Sequence, residues 1–213
     1  MNAVHLFTSE ECLAFLSDLK NAPWQDGSKS TTGGSEKRKN NLQLFPPAKE
    51  INDIIRIINE RIEAPLFKYT FFPKELIGLR IAKYGPGCKY DWHVDQAIMG
   101  RKSVHMSFTI FLNEGYEGGE LEIMSPQPHP PILIKKSPGE GVIYPTSARH
   151  RVKPVLSGER IVLVGWIKSF IPSHEKRMVF ARLWNIACTL RGEGNPSSPE
   201  LNEVFLDLIR TSV

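Results

Sequence analysis

The stretch "LIGLRIAKYGPGCKYDWHVDQAIMG", Leu76 to Gly100, decides how this chain folds. It opens as an apolar run, breaks at Gly85, Pro86 and Gly87, and resumes at Tyr90 with no helical spacing. The resumed run holds His93 and Asp95, one residue apart. Side chains at i and i+2 of an extended strand share a face, so this imidazole and this carboxylate converge on one point. An isolated His-x-Asp is more often a structural pair than half of a metal site, so the remaining sequence has to decide.

Outward from this stretch, between Pro65 and Phe170, short runs rich in Val, Ile, Phe and Thr recur between Gly, Pro and Asn: "SVHMSFTIFL", "GGELEIM", "PILIKK", "GVIYP", "HRVKPV" and "ERIVLVGWIKSF". Strands without intervening helices point to an antiparallel sandwich or barrel rather than a parallel sheet. Helical signals lie on both sides. Thr8 to Lys20 carries a capping box, Thr8 with Glu11, and Pro46 to Glu63 places Ile51, Ile54, Ile55 and Ile58 on one face. Glu175 to Arg191 and Pro199 to Ile209 read as two further helices, whose apolar Val204, Phe205, Leu206 and Leu208 suit packing on the core or on a second chain. Gln25 to Asn41, rich in Gly, Ser, Thr and charge, reads as a long flexible loop, its Gly33-Gly34 pair suited to movement over a substrate. The expected organisation is one domain over 1–213: N-terminal helices and loop in 1–64, a β core in 65–171 and C-terminal helices in 172–213.

Composition narrows the class. The chain has 213 residues, 41% hydrophobic and 23% charged, as in ordinary globular proteins. No apolar run is long enough for a membrane span, and the N-terminus lacks the pattern of a secretory leader, which gives the expectation of a cytoplasmic protein. Three dispersed cysteines, Cys12, Cys88 and Cys188, fit neither a disulfide framework nor a zinc cluster. A net charge of +4 with scattered basic residues argues against nucleic acid as a partner.

A metal site built on His93 and Asp95 needs a third ligand. His5, His105, His129, His150 and His174 are the candidates. His150 opens the strand-like "HRVKPV", whereas His129 lies in a Pro-rich turn and His174 at a helix start. Two histidines and a carboxylate occupy one face of an octahedron and leave the other positions open, as in non-haem Fe(II) oxygenases. Such an enzyme using 2-oxoglutarate needs a cation for the distal carboxylate. Arg160, at the head of the apolar strand beside that of His150, has the forked geometry for it.

Together His93-x-Asp95, His150 and Arg160 resemble the Fe(II)/2-oxoglutarate-dependent dioxygenase superfamily, and within it the PKHD-type hydroxylases, relatives of prolyl and lysyl hydroxylases. The resemblance extends in order through "W.DG" (24–27), "KNN.QL" (39–44), "WHVD" (92–95), "S.T.FL" (107–112), "YEGGEL" (116–121), "PG..V.YP" (138–145), "HRV.PV..GER" (150–160) and "WI.S.I" (166–171). It implies a double-stranded β-helix, the jelly roll, with flanking N- and C-terminal helices, in an α+β chain with a mainly β core. It implies Fe(II) on His93, Asp95 and His150, the distal carboxylate of 2-oxoglutarate on Arg160, and Tyr84, from the pattern Y..G..Y..H.D, as a residue lining the co-substrate pocket.

In those relatives a tyrosine on the strand before the Gly-Gly turn assists the distal carboxylate. Phe111 holds the corresponding position here, so Ser107 or Thr109 is expected to supply that help. Trp166 reads as a core aromatic and His105 as a partly exposed strand residue. The implied reaction is hydroxylation of an unactivated C–H bond, on a prolyl or lysyl side chain or another protein or small-molecule substrate. It consumes dioxygen, decarboxylates 2-oxoglutarate to succinate and uses ascorbate as reductant. The rival reading is a non-catalytic jelly roll that binds or senses iron or 2-oxoglutarate. The residues leave the substrate and the oligomeric state open.

Overall fold

The computed structural model describes residues 1–30 and 38–212; the Gly33-Gly34 pair of the expected lid lies outside the described residues. The chain opens with β1 (Asn2–His5), α1 (Ser9–Leu19), β2 (Gln25–Asp26), β3 (Leu42–Leu44), α2 (Asn52–Arg61) and α3 (Pro65–Phe71). It continues through β4 (Pro73–Tyr84), β5 (Tyr90–His93), β6 (Ile98–Met99), β7 (Lys102–Ser103), β8 (Met106–Phe111), β9 (Glu117–Gly118) and β10 (Leu121–Ile123). There follow β11 (Ile132–Ile134), β12 (Glu140–Pro145), β13 (His150–Val152), β14 (Val155–Ser157) and β15 (Arg160–Ser169), then α4 (His174–Gly192) and α5 (Ser198–Arg210).

Two antiparallel sheets form the jelly roll. The major sheet has the order β1-β12-β8-β15-β4-β3-β2 and the minor sheet β11-β10-β13-β5. Every residue of β8 is buried, because the major sheet is covered on both faces. On one face Leu79, Ile81, Phe108, Ile110, Leu163 and Ile167 pack against Phe15, Ile54, Ile58 and Phe67 of the helices. On the other, Ala82, Tyr84, Phe111, Tyr144 and Val162 meet Leu121, Ile123 and Val152 of the minor sheet. The period of two along each strand sorts one set from the other, and the site opens on the inter-sheet side.

The helices follow their local signals. Thr8 caps α1 with the expected reciprocal box to Glu11. Two departures from the sequence reading concern the N-terminal third. Pro65–Phe71, expected to begin the β core, is a helix: Pro65 sits in its first turn, and Phe67 and Phe71, four residues apart, bury one face. Residues 1–64 also contribute β1, β2 and β3 to the major sheet, through strands too short to show a pattern. At the other end Phe205 is fully buried among Tyr69, Phe72, Phe180 and Trp184, so α5 packs on α3 and α4 of its own chain, while Val204 and Leu208 stay exposed. No helix among the described residues is long and apolar enough to cross a membrane.

Candidate active site

The two sheets enclose a cavity of about 590 Å³, within the size range of small-molecule sites. His93 ends β5 and His150 begins β13, and the antiparallel register sets them directly opposite each other, with ring centroids 4.2 Å apart. Each ring is oriented by its own strand. His93 Nδ1 donates to the Asp91 carbonyl at 2.8 Å and His150 Nδ1 to the Ala148 carbonyl at 2.9 Å. Both Nε2 lone pairs are thereby left for a ligand.

Asp95 completes the group. Its carboxylate lies 3.6 Å from His93 Nε2 and 3.8 Å from His150 Nε2, and one ligand atom from each residue falls within 4.8 Å of the others. From the major sheet, Ser107 Oγ and Trp166 Nε1 both donate to Asp95 Oδ2, at 2.6 and 2.9 Å. Burial alone would push the Asp95 carboxyl up. The adjacent His93 and His150 imidazoles and the Ser107 hydroxyl outweigh it and hold the group far below the usual carboxylate range. Burial pushes the His150 imidazole down, toward the neutral form that ligates metal. Aromatic rings fix both histidines from behind: Tyr90 stacks on His93 at 3.6 Å and Tyr144 meets His150 edge-on at 5.1 Å.

Arg160 lies in the same cavity on the facing sheet. It is only 1% exposed, and its Nε and Nη1 have no hydrogen-bond partner among the described residues. Its guanidinium sits 5.2 Å from the ring centre of Tyr84, opposite it in register, and 5.3 Å from that of Phe111. Gly119 makes room for it: a Cβ there would come within 3.0 Å of Arg160 Cδ, and the residue's φ of +65° is itself unfavourable for other side chains. The second glycine of "YEGGEL" thus has a steric reason. A buried cation with open donors is costly unless an anion meets it, and the fork suits a carboxylate.

The structure therefore gathers His93, Asp95, His150, Arg160 and Tyr84 around one cavity. Several expectations need correction. Arg160 is not on a strand adjoining His150, because β15 pairs with β4 and β8 whereas β13 pairs with β5 and β10. The two residues face each other across the sandwich instead. Ser107 is committed to Asp95, which leaves Thr109 of the two as the cavity-lining hydroxyl without that duty. Trp166, read as core, holds Asp95. His105 is engaged elsewhere, its Nδ1 accepting from the Ser169 amide at 3.0 Å.

Sequence reasoning also passed over Lys39, Arg80, Tyr90 and Tyr144. Arg80 could have been found, since it shares the cavity face of β4 with Ala82 and Tyr84 at a period of two. Lys39 lies in the quoted "KNN.QL". It donates to Ser30 Oγ at 2.8 Å, and burial, with the Arg80 charge adding, pushes its ammonium down to about 7.

A family model described as the 2OG-Fe(II) oxygenase superfamily matches residues 79–168, the span from β4 to β15. A PKHD-type hydroxylase of Prochlorococcus marinus (strain MIT 9313) is 38% identical over 185 residues, 85% of this chain and 82% of that protein. The chain belongs to the PKHD-type hydroxylases. Another such hydroxylase, from Crocosphaera subtropica, is 35% identical over 82% of this chain and 81% of its own length. As a PKHD-type hydroxylase the chain is an enzyme of the 2OG-Fe(II) oxygenase class, whose cofactors are Fe(II) and 2-oxoglutarate. Solved structures agree on the fold. A prolyl-4-hydroxylase of Pseudomonas putida superposes with a TM-score of 0.56 at 18% identity, over 79% of this chain and 91% of that one. A prolyl hydroxylase of Trichoplax adhaerens, solved with a hypoxia inducible factor peptide fragment, gives 0.56 at 15% identity over 83% and 84%.

Proposed function

We propose that this PKHD-type hydroxylase inserts oxygen into an unactivated C–H bond, with dioxygen as oxidant and 2-oxoglutarate decarboxylated to succinate. His93, Asp95 and His150 would hold Fe(II), and Arg160 the distal carboxylate of 2-oxoglutarate. The observation that carries this reading is one cavity holding both a two-histidine, one-carboxylate cluster and a buried arginine whose Nε and Nη1 lack a partner among the described residues. A scaffold has no use for both, which weighs against the non-catalytic rival. Bound Fe(II) would couple the four-electron reduction of dioxygen to the oxidation of 2-oxoglutarate and of the substrate C–H bond, two electrons from each.

The chain's own residues prepare and confine that chemistry. The Asp91 and Ala148 carbonyls fix both imidazoles in the tautomer that presents Nε2. Ser107 and Trp166 both donate to Asp95 Oδ2 and leave Oδ1 turned toward His93. Arg160 supplies a forked partner for the far end of a dicarboxylate, and Phe111, Tyr84 and Tyr144 surround that end with low-polarity surface, which strengthens the ion pair. Thr109, on the same face of β8 as Phe111, is the hydroxyl placed to assist it. Family resemblance points to a prolyl or lysyl side chain as acceptor and to ascorbate as an auxiliary reductant. The acceptor's protein or small-molecule nature is part of the proposal.

Succinate formed from 2-oxoglutarate in air, with added Fe(II), tests the reading. The parent protein is expected to form it slowly even without a substrate. His150→Ala is expected to lower the rate at least about a hundredfold, and Arg160→Ala to raise the 2-oxoglutarate KM at least about tenfold, the loss of a charge-assisted pair. Equal rates in parent and His150→Ala would overturn the ligand assignment, and an unchanged KM would remove the role of Arg160.

A further inference from the structure

Two cavity cations remain once iron and 2-oxoglutarate are assigned. Asp95 belongs to the iron site, Arg160 to the co-substrate, and Lys102 pairs with Glu75. That leaves Lys39 and Arg80. Neither has a carboxylate within ion-pair distance among the described residues, although Lys39 is only 6% exposed. Among the described residues Lys39 uses one of its three donors, on Ser30 Oγ, whose hydroxyl passes on to Gln43 Oε1 at 2.7 Å. Arg80 spends Nε on the Gly78 carbonyl and lays its guanidinium over Trp166, 4.7 Å from the ring centre, and beside Phe45 at 5.1 Å.

Their place in the fold is not that of Arg160. Along β4 the cavity face carries Tyr84, Ala82, Arg80 and Gly78 in turn, opposite Arg160, Val162 and Val164 of β15, with Trp166 reached across a bulge. Arg80 therefore lies toward the Trp166 end, where Asp95 is held, and Arg160 at the opposite end of the strand pair. Lys39 comes to the cavity from the other direction, above the ring of Tyr90 at 5.1 Å, and Tyr90 stacks on His93. Gly78 keeps the arrangement open, since a Cβ there would stand 3.1 Å from the Trp166 ring and 3.2 Å from Arg80 Nη2.

We propose that Lys39 and Arg80 form the substrate-recognition subsite, and that the hydroxylated substrate carries an oxyanion, a carboxylate or a phosphate, which docks between them next to the iron site. The inference rests on the proposed iron and 2-oxoglutarate site, and it narrows the acceptor. A buried ammonium and a half-buried guanidinium, both with open donors among the described residues, repel a lysyl ammonium and leave an uncharged mid-chain prolyl residue without a partner for either. An anion satisfies both, through the point charge of Lys39 and the planar fork of Arg80.

The test uses full-length protein loaded anaerobically with Mn(II) and 2-oxoglutarate and titrated by calorimetry with matched probes. N-acetylglycine is compared with N-acetylglycinamide, and phosphoserine with serine. At least one anion is expected to bind at least about tenfold more tightly than its partner, and the pair that does so tells carboxylate from phosphate. Lys39→Gln and Arg80→Gln are each expected to remove most of that preference while keeping 2-oxoglutarate affinity within about twofold of the parent. The proposal is overturned if neither anion outbinds its partner, whether or not any probe binds, or if either variant keeps the full preference. Loss of 2-oxoglutarate binding in these variants overturns it as well, by assigning the two cations to the co-substrate. Failure of 2-oxoglutarate to bind the parent protein instead sinks the underlying iron and co-substrate reading.

Discussion

Lys39 shows at the scale of one residue how a site opposes the fold that holds it. Its ammonium is brought down to about 7 by burial first and the Arg80 charge second, whereas a lysine in the unfolded chain titrates near about 10.4. Between these values the unfolded state binds more protons, so stability rises with pH across the window and carries the full penalty below it. Lys39→Met is therefore expected to raise the melting temperature by several degrees at about pH 6, with a gain that fades by about pH 10. Thermal scans of the metal-free protein at both values check this, and an equal shift at the two would contradict it. His93, Asp95 and His150 were legible in the sequence because residue type and spacing suffice to nominate them, although β5 ends at His93 and Asp95 follows just beyond the strand on which it was expected. Trp166 was not, because an indole in an apolar strand looks the same whether it fills a core or donates to Asp95. Lys39 was not, because no local pattern shows that a lysine beside a loop is buried.

At the scale of elements, strands with a long clear alternation were readable and those held by distant partners were not. β4, β8 and β15 announce themselves in sequence, and their pairing forms the floor of the cavity. β1 has four residues and becomes a strand only through register with β12, Asn2 against Ile143 and His5 against Glu140. The joint between them turns on Gly139. Its carbonyl accepts from the amides of Leu6 and Phe7, its φ is +87°, and a Cβ there would lie 1.9 Å from the Phe7 carbonyl oxygen. Gly139→Ala is expected to cost more than about 2 kcal/mol of stability, through left-handed strain and displacement of the β1–α1 entry. Denaturant unfolding measures the loss, and a change below about 0.5 kcal/mol would mean that the joint yields freely.

At the scale of the whole molecule, the two sheets divide the labour. The minor sheet brings His93 and His150 into opposition, and the major sheet supplies Ser107 and Trp166 to hold Asp95, Arg160 at one end of the strand pair, and Arg80 toward the other. The jelly roll was readable from short strands without intervening helices, together with motifs in family order. The facing of β13 and β15 was not, because strand order in a sandwich is set by which faces bury together, and nothing local encodes it.

The proposed function requires one cavity to join an iron site to a 2-oxoglutarate anchor. Anaerobic addition of Fe(II) and then 2-oxoglutarate to the metal-free protein, followed by visible absorption, tests it most directly. A weak charge-transfer band from the chelated keto acid is expected in the parent protein, absent in His150→Ala and needing far more 2-oxoglutarate in Arg160→Ala. Iron binding without that band, or a band unchanged in His150→Ala, would contradict it.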